Sequence, residues 1–558
     1  MLQDIRHSIR QHPKTWFYTS WILLNLLQSY GTELLDDEAY YWVFSRYPDW
    51  GYFDHPPMIA ILIRAGYALF PNELGVRLFM ALMNTATLFL IQQMLLKNQQ
   101  KLFYTIAFSM GVLQIGGILA VPDIPLTFFT ALFFWQYRRF LSVASLINAL
   151  LLGLIMALML YSKYHGVLII FFTFLSNPKL FLQWKAWVAA AVGALLFSPH
   201  LWWQYLHDFP SVMYHLKERN APEYRFAFSL DYLTGQVLLA GPLIGWLLLY
   251  AAGQFRSKDL FARALQFSLW GIYGFFLLST LKGRVEANWT VPALVPLLII
   301  SHAWLTDSAK HARWVYKLMP PALALVILVR LYMITDIEPL TTVFKDEMHG
   351  NPSWATTIKE KSGELPVVFL NSYQRPSKYW FYTGDTSFGL NTTRYRRNNY
   401  NFWPIEKEWQ GKTVYTVDRL LERLPDATPI ETRKGLTYGK AIPSFQSNSW
   451  LRFQAISDDL SITDGKLTPF NFSIFPTSSA DSLLTGTRPL EVVLDIFGKD
   501  SMIARLPLRF THKEGKWSGN SNDSVSLAPG FYRAKIGVGT VLPLLYSQNS
   551  ASVKLKVE

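Results

Sequence analysis

Three consecutive carboxylates, Asp36-Asp37-Glu38, stand directly after an apolar stretch. They are followed by Ala39-Tyr40-Tyr41-Trp42 and then by Asp49-Trp50-Gly51-Tyr52-Phe53-Asp54-His55-Pro56-Pro57. Carboxylates at the end of a membrane helix are costly unless they face water or a polar cavity. The interleaved tyrosines and tryptophans suit an interface, where amphipathic rings settle. Either this segment lies flat on the membrane with its acids turned toward a cavity, or it is a solvated loop carrying an aromatic belt. A second acid stands in Val121-Pro122-Asp123-Ile124-Pro125, between two prolines that fix the turn. The same pattern also reads as a helix N-cap, and locally it favours the cap. Two basic stretches complete the set: Tyr161-Ser162-Lys163-Tyr164-His165-Gly166 and Lys282-Gly283-Arg284-Val285-Glu286-Ala287-Asn288-Trp289. Their cations need partners. An anionic head group or phosphate, which arginine can grip with two parallel hydrogen bonds, is the economical one, and an ion pair with the loop acids is the alternative. Arg77 is a weaker candidate of the same kind, with snorkelling to the interface as its ordinary explanation. Together these residues suit transfer of a group away from a phosphate. A carboxylate accepts the proton of an attacking hydroxyl or amine, and cations stabilise the departing phosphate.

The elements that must position them follow from hydropathy. The chain of 558 residues is 51% hydrophobic but only 16% charged, below the usual soluble share of roughly 25%. The deficit lies between about Trp16 and about Ile334. A spanning helix takes about 20 mostly apolar residues, which gives about eleven candidates: roughly 15–34, 73–96, 102–121, 124–140, 142–161, 164–180, 184–199, 232–252, 264–281, 287–304 and 315–334. The shorter run Pro57–Phe70 reads as a helix at the interface or re-entering. The basic N-terminus reads as the flank of a retained first helix, since no small-residue cleavage pattern follows it. If the helices alternate, the N-terminus, Lys97–Lys101, Arg138-Arg139, Lys179 with Lys185, Arg256–Lys258 and Lys310–Arg313 share one side. Positive loops stay cytoplasmic, so the N-terminus is inside. The loops at about 35–72, 121–123, 161–163, 200–231 and 281–286 then lie outside, as does everything after the last helix. The net charge of +13 is therefore first a topology signal rather than a nucleic-acid footprint. With no cysteine, disulfides and thiolate chemistry are excluded.

From about Thr335 the composition is that of a soluble protein. Leu365–Leu370 and Thr413–Val417 read as strands and Ser377–Tyr382 as a short helix, giving an α/β subdomain over 335–440. Alternating runs at Leu490–Ile496, Met502–Phe510, Phe531–Ile536 and Val553–Val557 read as a β-sandwich over 441–558. Residues 1–334 form the membrane domain. Asn371–Pro376 and the cluster Arg394, Arg396 and Arg397, with Tyr395 and Tyr400, offer an anionic acceptor a landing surface, or are a solvated basic loop.

Asp37-Glu38 after the first helix, Tyr40-Tyr41, His55-Pro56-Pro57, Asp123-Ile124-Pro125-Leu126 and Ser162-Lys163-Tyr164-His165-Gly166, in that order, resemble the GT-C glycosyltransferases. Within them the chain is similar to the dolichyl-phosphate-mannose protein mannosyltransferase branch and to the bacterial lipid A aminoarabinose transferases. The likeness covers about the first 300 residues. It implies a polyprenyl-phosphate sugar donor, inverting transfer to a lipid A, glycan or protein acceptor, and chemistry outside the cytoplasm of a bacterial inner membrane. By resemblance, Asp37 is the base, with Asp36 beside it as the other choice. Glu38 and Asp123 complete the acids, and Lys163 lies near the donor phosphate. Tyr41, His55, Arg77, His165, Lys282 and Arg284 fill the substrate-binding set. No metal ligand set is assigned, and a divalent cation is the one cofactor weighed. His55 stands where the aminoarabinose branch usually has lysine, which weighs against that sugar. No MIR-type repeats follow, which weighs against a eukaryotic-style protein mannosyltransferase. The competing readings are a secondary transporter, which calls for inverted repeats and helices broken at mid-membrane, and a membrane-anchored protein that binds lipid-linked glycans.

Overall fold

Every apolar stretch of the N-terminal part is met by a helix or by a broken pair of helices in the computed structural model. The model describes residues 7–8, 10–214, 224–337, 346–455, 459–476, 483–484, 489–498, 501–513, 516–543 and 545–558. The part of the outer loop at 215–223 lies outside the described residues. The chain divides into two units, Met1–His349 and Gly350–Glu558.

In the first unit the helices are Pro13–Gly31, Asp36–Arg46, Met58–Leu69, Glu73–Met94, Asp123–Ser142, Leu146–Ser162, Gly166–Ser176, Trp184–Leu206, Leu260–Ser279, Ala287–Asp307 and Ala309–Ile334. Two stretches expected as single helices are bent. Gln100–Ser109 meets Gly111–Ile118 at 79°, and Phe226–Ala240 meets Gly245–Gln254 at 94°. Their causes are local. Gly241, at φ +135, and Pro242 interrupt the second pair. In the first, Asn84 Nδ2 donates to the Leu113 carbonyl, serving a backbone group near the bend. Among the described residues, five helices are long and apolar enough to cross a membrane, and seven spans result if each bent pair is one.

Small residues bring helices together where lipid offers no hydrophobic contrast. A Cβ on Gly153 would lie 2.5 Å from the Ala189 carbonyl oxygen, so Leu146–Ser162 and Trp184–Leu206 touch backbone to backbone. Basic loops from distant parts of the chain meet partners at one end of the bundle. Lys97 pairs with Asp307, Lys101 sits over the Tyr316 ring, Arg138 over Phe261, and Lys185 donates to the Ala144 carbonyl.

The second unit opens with helix Asn351–Ser362 and a five-stranded sheet: β1 Val367–Leu370, β2 Ser387–Leu390, β3 Val414–Val417, β4 Thr428–Thr432 and β5 Gly435–Ile442, in the order β2-β1-β3-β5-β4. Strands β1, β2 and β3 are parallel, and helix Gln374–Thr383 links β1 to β2. Two further sheets, of seven and four strands, share one apolar core that includes Phe453, Phe472, Leu494 and Ile536. The run expected as one strand over Met502–Phe510 is two. Met502–Pro507 pairs in the larger sheet and Arg509–Lys513 in the smaller. Pro507 has no N–H to continue the ladder, and the chain crosses between sheets there.

Candidate active site

Helix Asp36–Arg46 begins immediately after a short break from the first helix, so its first turn presents Asp36, Asp37 and Glu38 in three directions, about 100° apart. Glu38 points inward and is fully buried, Asp36 is half-buried, and Asp37 is exposed. Glu38 Oε1 accepts from Arg77 Nε at 2.7 Å and from the Ala120 N–H at 2.7 Å. Its Oε2 accepts from Arg77 Nη2 at 2.5 Å and from the Leu35 N–H at 3.0 Å. A carboxylate has about four lone-pair sites, and all are taken. Arg77 is equally committed: its remaining N–H groups donate to the carbonyls of Ser29, Thr32 and Glu33 at 3.2, 2.5 and 2.9 Å. Two expectations change here. Glu38 has no site left for a proton, and Arg77 is buried in the bundle, neither snorkelling nor offering a donor to a substrate. Together they fasten the acid loop to helix Glu73–Met94 and to the segment that leads into Asp123.

Asp123 is the first residue of its helix, after Pro122 as the cap, and the helix makes no side-chain capping bond. Its carboxylate turns instead to Lys163, whose Nζ lies 2.8 Å from Oδ1. Asn288 Nδ2 donates to Oδ2 at 3.2 Å. Asp123 and Lys163 are both about 5% exposed. Lys163 closes the C-terminus of helix Leu146–Ser162, and Asn288 lies in the first turn of Ala287–Asp307. Three separate elements thus meet in one buried ion pair. Such a pair is a poor source of stability but leaves an expensive lone charge if broken. Asn288 lay inside a quoted motif, yet sequence spacing held nothing to single it out from its neighbours.

The remaining expected residues separate into two kinds. His165 packs on Phe276 and Trp289, with ring centres 5.1 and 5.3 Å away, and Tyr41 meets His55 edge-on at 5.5 Å. Lys282 and Arg284 are exposed. Arg284 lies 3.8 Å from Glu286, an exposed contact worth little.

A polar hub escaped sequence reading. The Tyr164 hydroxyl bonds His200 Nε2 at 2.9 Å and Ser211 Oγ at 3.0 Å, and Gln204 Nε2 donates to it at 3.0 Å. Ser211 donates to the Phe53 carbonyl, and His200 Nδ1 bonds the Trp50 carbonyl. Trp203 Nε1 donates to Asp49 at 2.7 Å. Gly51 is required here, because a Cβ would fall 2.5 Å from the Trp203 ring. These partners sit on helix Trp184–Leu206, which continues past the expected end at 199, and just beyond it. Their signal was the aromatic and polar run His200–Gln204, masked by its position after an apolar span. Among the described residues no three His, Asp or Glu side chains converge as a metal site.

A family model described as dolichyl-phosphate-mannose-protein mannosyltransferase matches residues 54–203, which carry His55, Asp123 and Lys163. Among curated proteins, the lipid A galacturonosyltransferase RgtD of Rhizobium johnstonii is 27% identical over 357 residues, covering 59% of this chain and 70% of the relative. Among solved structures, ArnT from Cupriavidus metallidurans bound to undecaprenyl phosphate superposes with a TM-score of 0.57 at 13% identity, over 76% of this chain and 97% of that one. Its apo form gives 0.58 at 13% identity, over 77% and 98%. The architecture is the GT-C fold: apolar helices in the N-terminal unit and a β-rich C-terminal unit.

Proposed function

We propose that this chain, which has the GT-C fold, is a glycosyltransferase that moves a sugar from a polyprenyl-phosphate donor onto lipid A or a related envelope glycan at the outer face of the bacterial inner membrane. One contact carries the reading above the others. The Ala120 N–H bonds Glu38 at 2.7 Å, and this contact between the loop bearing Asp37 and the segment leading into Asp123 supports reading them as parts of one site. The relative named for lipid A galacturonosyl transfer and the neighbour holding undecaprenyl phosphate support the choice of acceptor and donor classes.

In this reading Asp37 takes the proton of the acceptor hydroxyl as its oxygen attacks the anomeric carbon from the face opposite the phosphate. The bond from that carbon to the phosphate oxygen breaks, and configuration inverts. The polyprenyl phosphate leaves with its charge matched by Lys163 and by the exposed Lys282 and Arg284, so no general acid is needed on that side. Asp123 and Asn288 hold Lys163 in place before the donor arrives. Tyr41, His55 and His165 shape the walls around the sugar.

Mass spectrometry of lipid A from a deletion strain and its complement tests the whole. The expected result is one sugar mass missing from lipid A in the deletion and restored by the wild-type gene. Unchanged lipid A, with a sugar missing from secreted proteins instead, would move the acceptor to protein. No missing sugar in either fraction would end the transferase assignment in that cell.

A further inference from the structure

The five-stranded sheet of the second unit has a property its sequence does not announce. From β1 the chain passes to β2 on one side and then returns to β3 on the other, with all three parallel. Between β1 and β3 the direction of winding reverses. Open α/β sheets bind ligands in the crevice outside the carboxyl ends of the strands at such a switch point. This one holds a cavity of about 300 Å³, at the small end of ligand pockets.

The lining combines three cations, one carboxylate and aromatic walls: Arg375, Arg419, Lys434, Asp418, Trp354 and Phe369. Arg375 follows the end of β1. It donates to the Leu370 carbonyl at 2.6 Å and to Asp418 Oδ2 at 2.5 Å, spanning the two strand ends. Its guanidinium also lies 5.9 Å from the centre of the Phe369 ring. Trp354 is buried, whereas Arg419 at the mouth is exposed. The surplus of positive charge calls for an anionic ligand. A bare anion would gain nothing from Asp418 and Trp354, whereas a sugar ring donates hydroxyls to a carboxylate and rests its apolar face on an aromatic ring. The volume is enough for one sugar ring.

We propose that this crevice binds a single sugar residue carrying a phosphate or a carboxylate. The proposal does not depend on the transferase reading, and its failure would leave that reading intact. Isothermal titration of the full-length protein in neutral-lipid nanodiscs, with glucosamine 1-phosphate, galacturonate, glucose and inorganic phosphate as probes, tests it. Glucosamine 1-phosphate or galacturonate is expected to bind at least about tenfold more tightly than glucose or phosphate. Arg419→Glu and Lys434→Glu, at the mouth, should each weaken that binding about tenfold or more, the order of one charge-assisted hydrogen bond. Arg375→Gln should abolish it, and where that variant fails to show the wild-type melting curve, the two mouth variants decide alone. Binding of neither anionic sugar, equal binding of glucose or of inorganic phosphate, or undiminished binding in both mouth variants would overturn the site. A separate arm identifies the source of the sugar. A raised acceptor KM in Lys434→Glu assigns the crevice to the head group of an anionic glycolipid, and an unchanged KM with lost sugar binding assigns it to a free sugar.

Discussion

Three adjacent carboxylates in one helical turn end in three environments, and that difference makes separable predictions. Asp37 faces solvent and Glu38 faces Arg77. Asp37→Asn keeps size and removes proton acceptance, so turnover should fall 10²–10⁴-fold, while Asp36→Asn stays within a few fold. The reverse order would shift the base by one residue, and two active variants would remove the carboxylate mechanism. Glu38→Gln is expected to act on stability. Leaving Arg77 buried without its charge partner should cost about 3–5 kcal/mol, visible in a thermal melt. A Glu38→Gln protein that melts like wild type yet is inactive would return Glu38 to the chemistry. Lys163→Ala should raise the donor KM more than the acceptor KM, and an unchanged donor KM with unchanged kcat would take Lys163 away from the phosphate. In the sequence the motif residues were legible because acids and cations at the ends of apolar runs are conspicuous. Which acid is spent on structure was not legible. That depends on Ala120 and on the carbonyls of Ser29, Thr32 and Glu33, and backbone groups leave no mark on residue type.

Between residues and the whole lie the elements that hold the acids still. Tyr164 stands next to Lys163, and its hydroxyl bonds the same Ser211 that holds the Phe53 carbonyl. The loop bearing Lys163 and the loop bearing Phe53 are thereby tied to each other near one helix end. Tyr164→Phe removes the shared hydroxyl and is expected to lower kcat about tenfold, near the value of one hydrogen bond, with the donor KM little altered. A loss confined to donor KM would place Tyr164 in binding instead. Element types were readable from apolar length, but the bends after Ser109 and Ala240 were not, because mean hydropathy is blind to helix direction. The second unit gives a pH test. Glu406 is buried, and burial raises its pKa above the usual 4.5 while the Ser447 and Ser449 hydroxyls oppose the shift. The folded state then holds this proton more tightly than the unfolded one, so this group's contribution to stability is full below pH 4.5 and is lost as pH rises through the folded pKa. Thermal melts of wild type against Glu406→Gln should show that slope only in wild type. Parallel slopes would mean Glu406 is not its source. The basic cluster considered for acceptor docking is partly spent within the same unit: Arg396 stacks 4.7 Å over Tyr373 and Arg397 5.0 Å over Phe402. Reversing both charges therefore tests bracing of that loop as well as docking. A fall in donor hydrolysis without acceptor would mark bracing.

Across the molecule, charge is sorted by helix end. The Lys97–Asp307 pair, Lys101 on Tyr316, Arg138 on Phe261 and Lys185 at Ala144 tie one end together through cationic loops. Asp123, Lys163, Asn288 and the acid loop are bound to one another elsewhere, through the Ala120 contact and the Lys163 pair. A membrane protein keeps its Lys- and Arg-rich short loops in the cytoplasm, so the active-site loops are expected outside, where a lipid-linked donor and an envelope acceptor can both be reached. The fold class was legible at this scale because lipid imposes length and charge rules on every span. The number of spans was less so, since bent pairs and short apolar helices satisfy composition without satisfying length. The absence of cysteine gives the orientation a clean measurement. Single cysteines at Ser257, between two cations, and at Lys282, beside the proposed donor site, should respond oppositely to a membrane-impermeant thiol reagent applied to intact spheroplasts. Lys282→Cys is expected to label before lysis and Ser257→Cys only after it. A reporter that is active only outside the cytoplasm, fused after Glu558, should agree with Lys282. Labelling of Ser257→Cys in intact spheroplasts, with Lys282→Cys protected until lysis, would invert the protein and put its acids on the cytoplasmic side. Labelling of Lys282→Cys alone in intact spheroplasts, with a silent reporter, would keep the active site outside but make the number of crossings after Lys282 odd, which would reassign Ala287–Asp307 or Ala309–Ile334 as a helix that does not span.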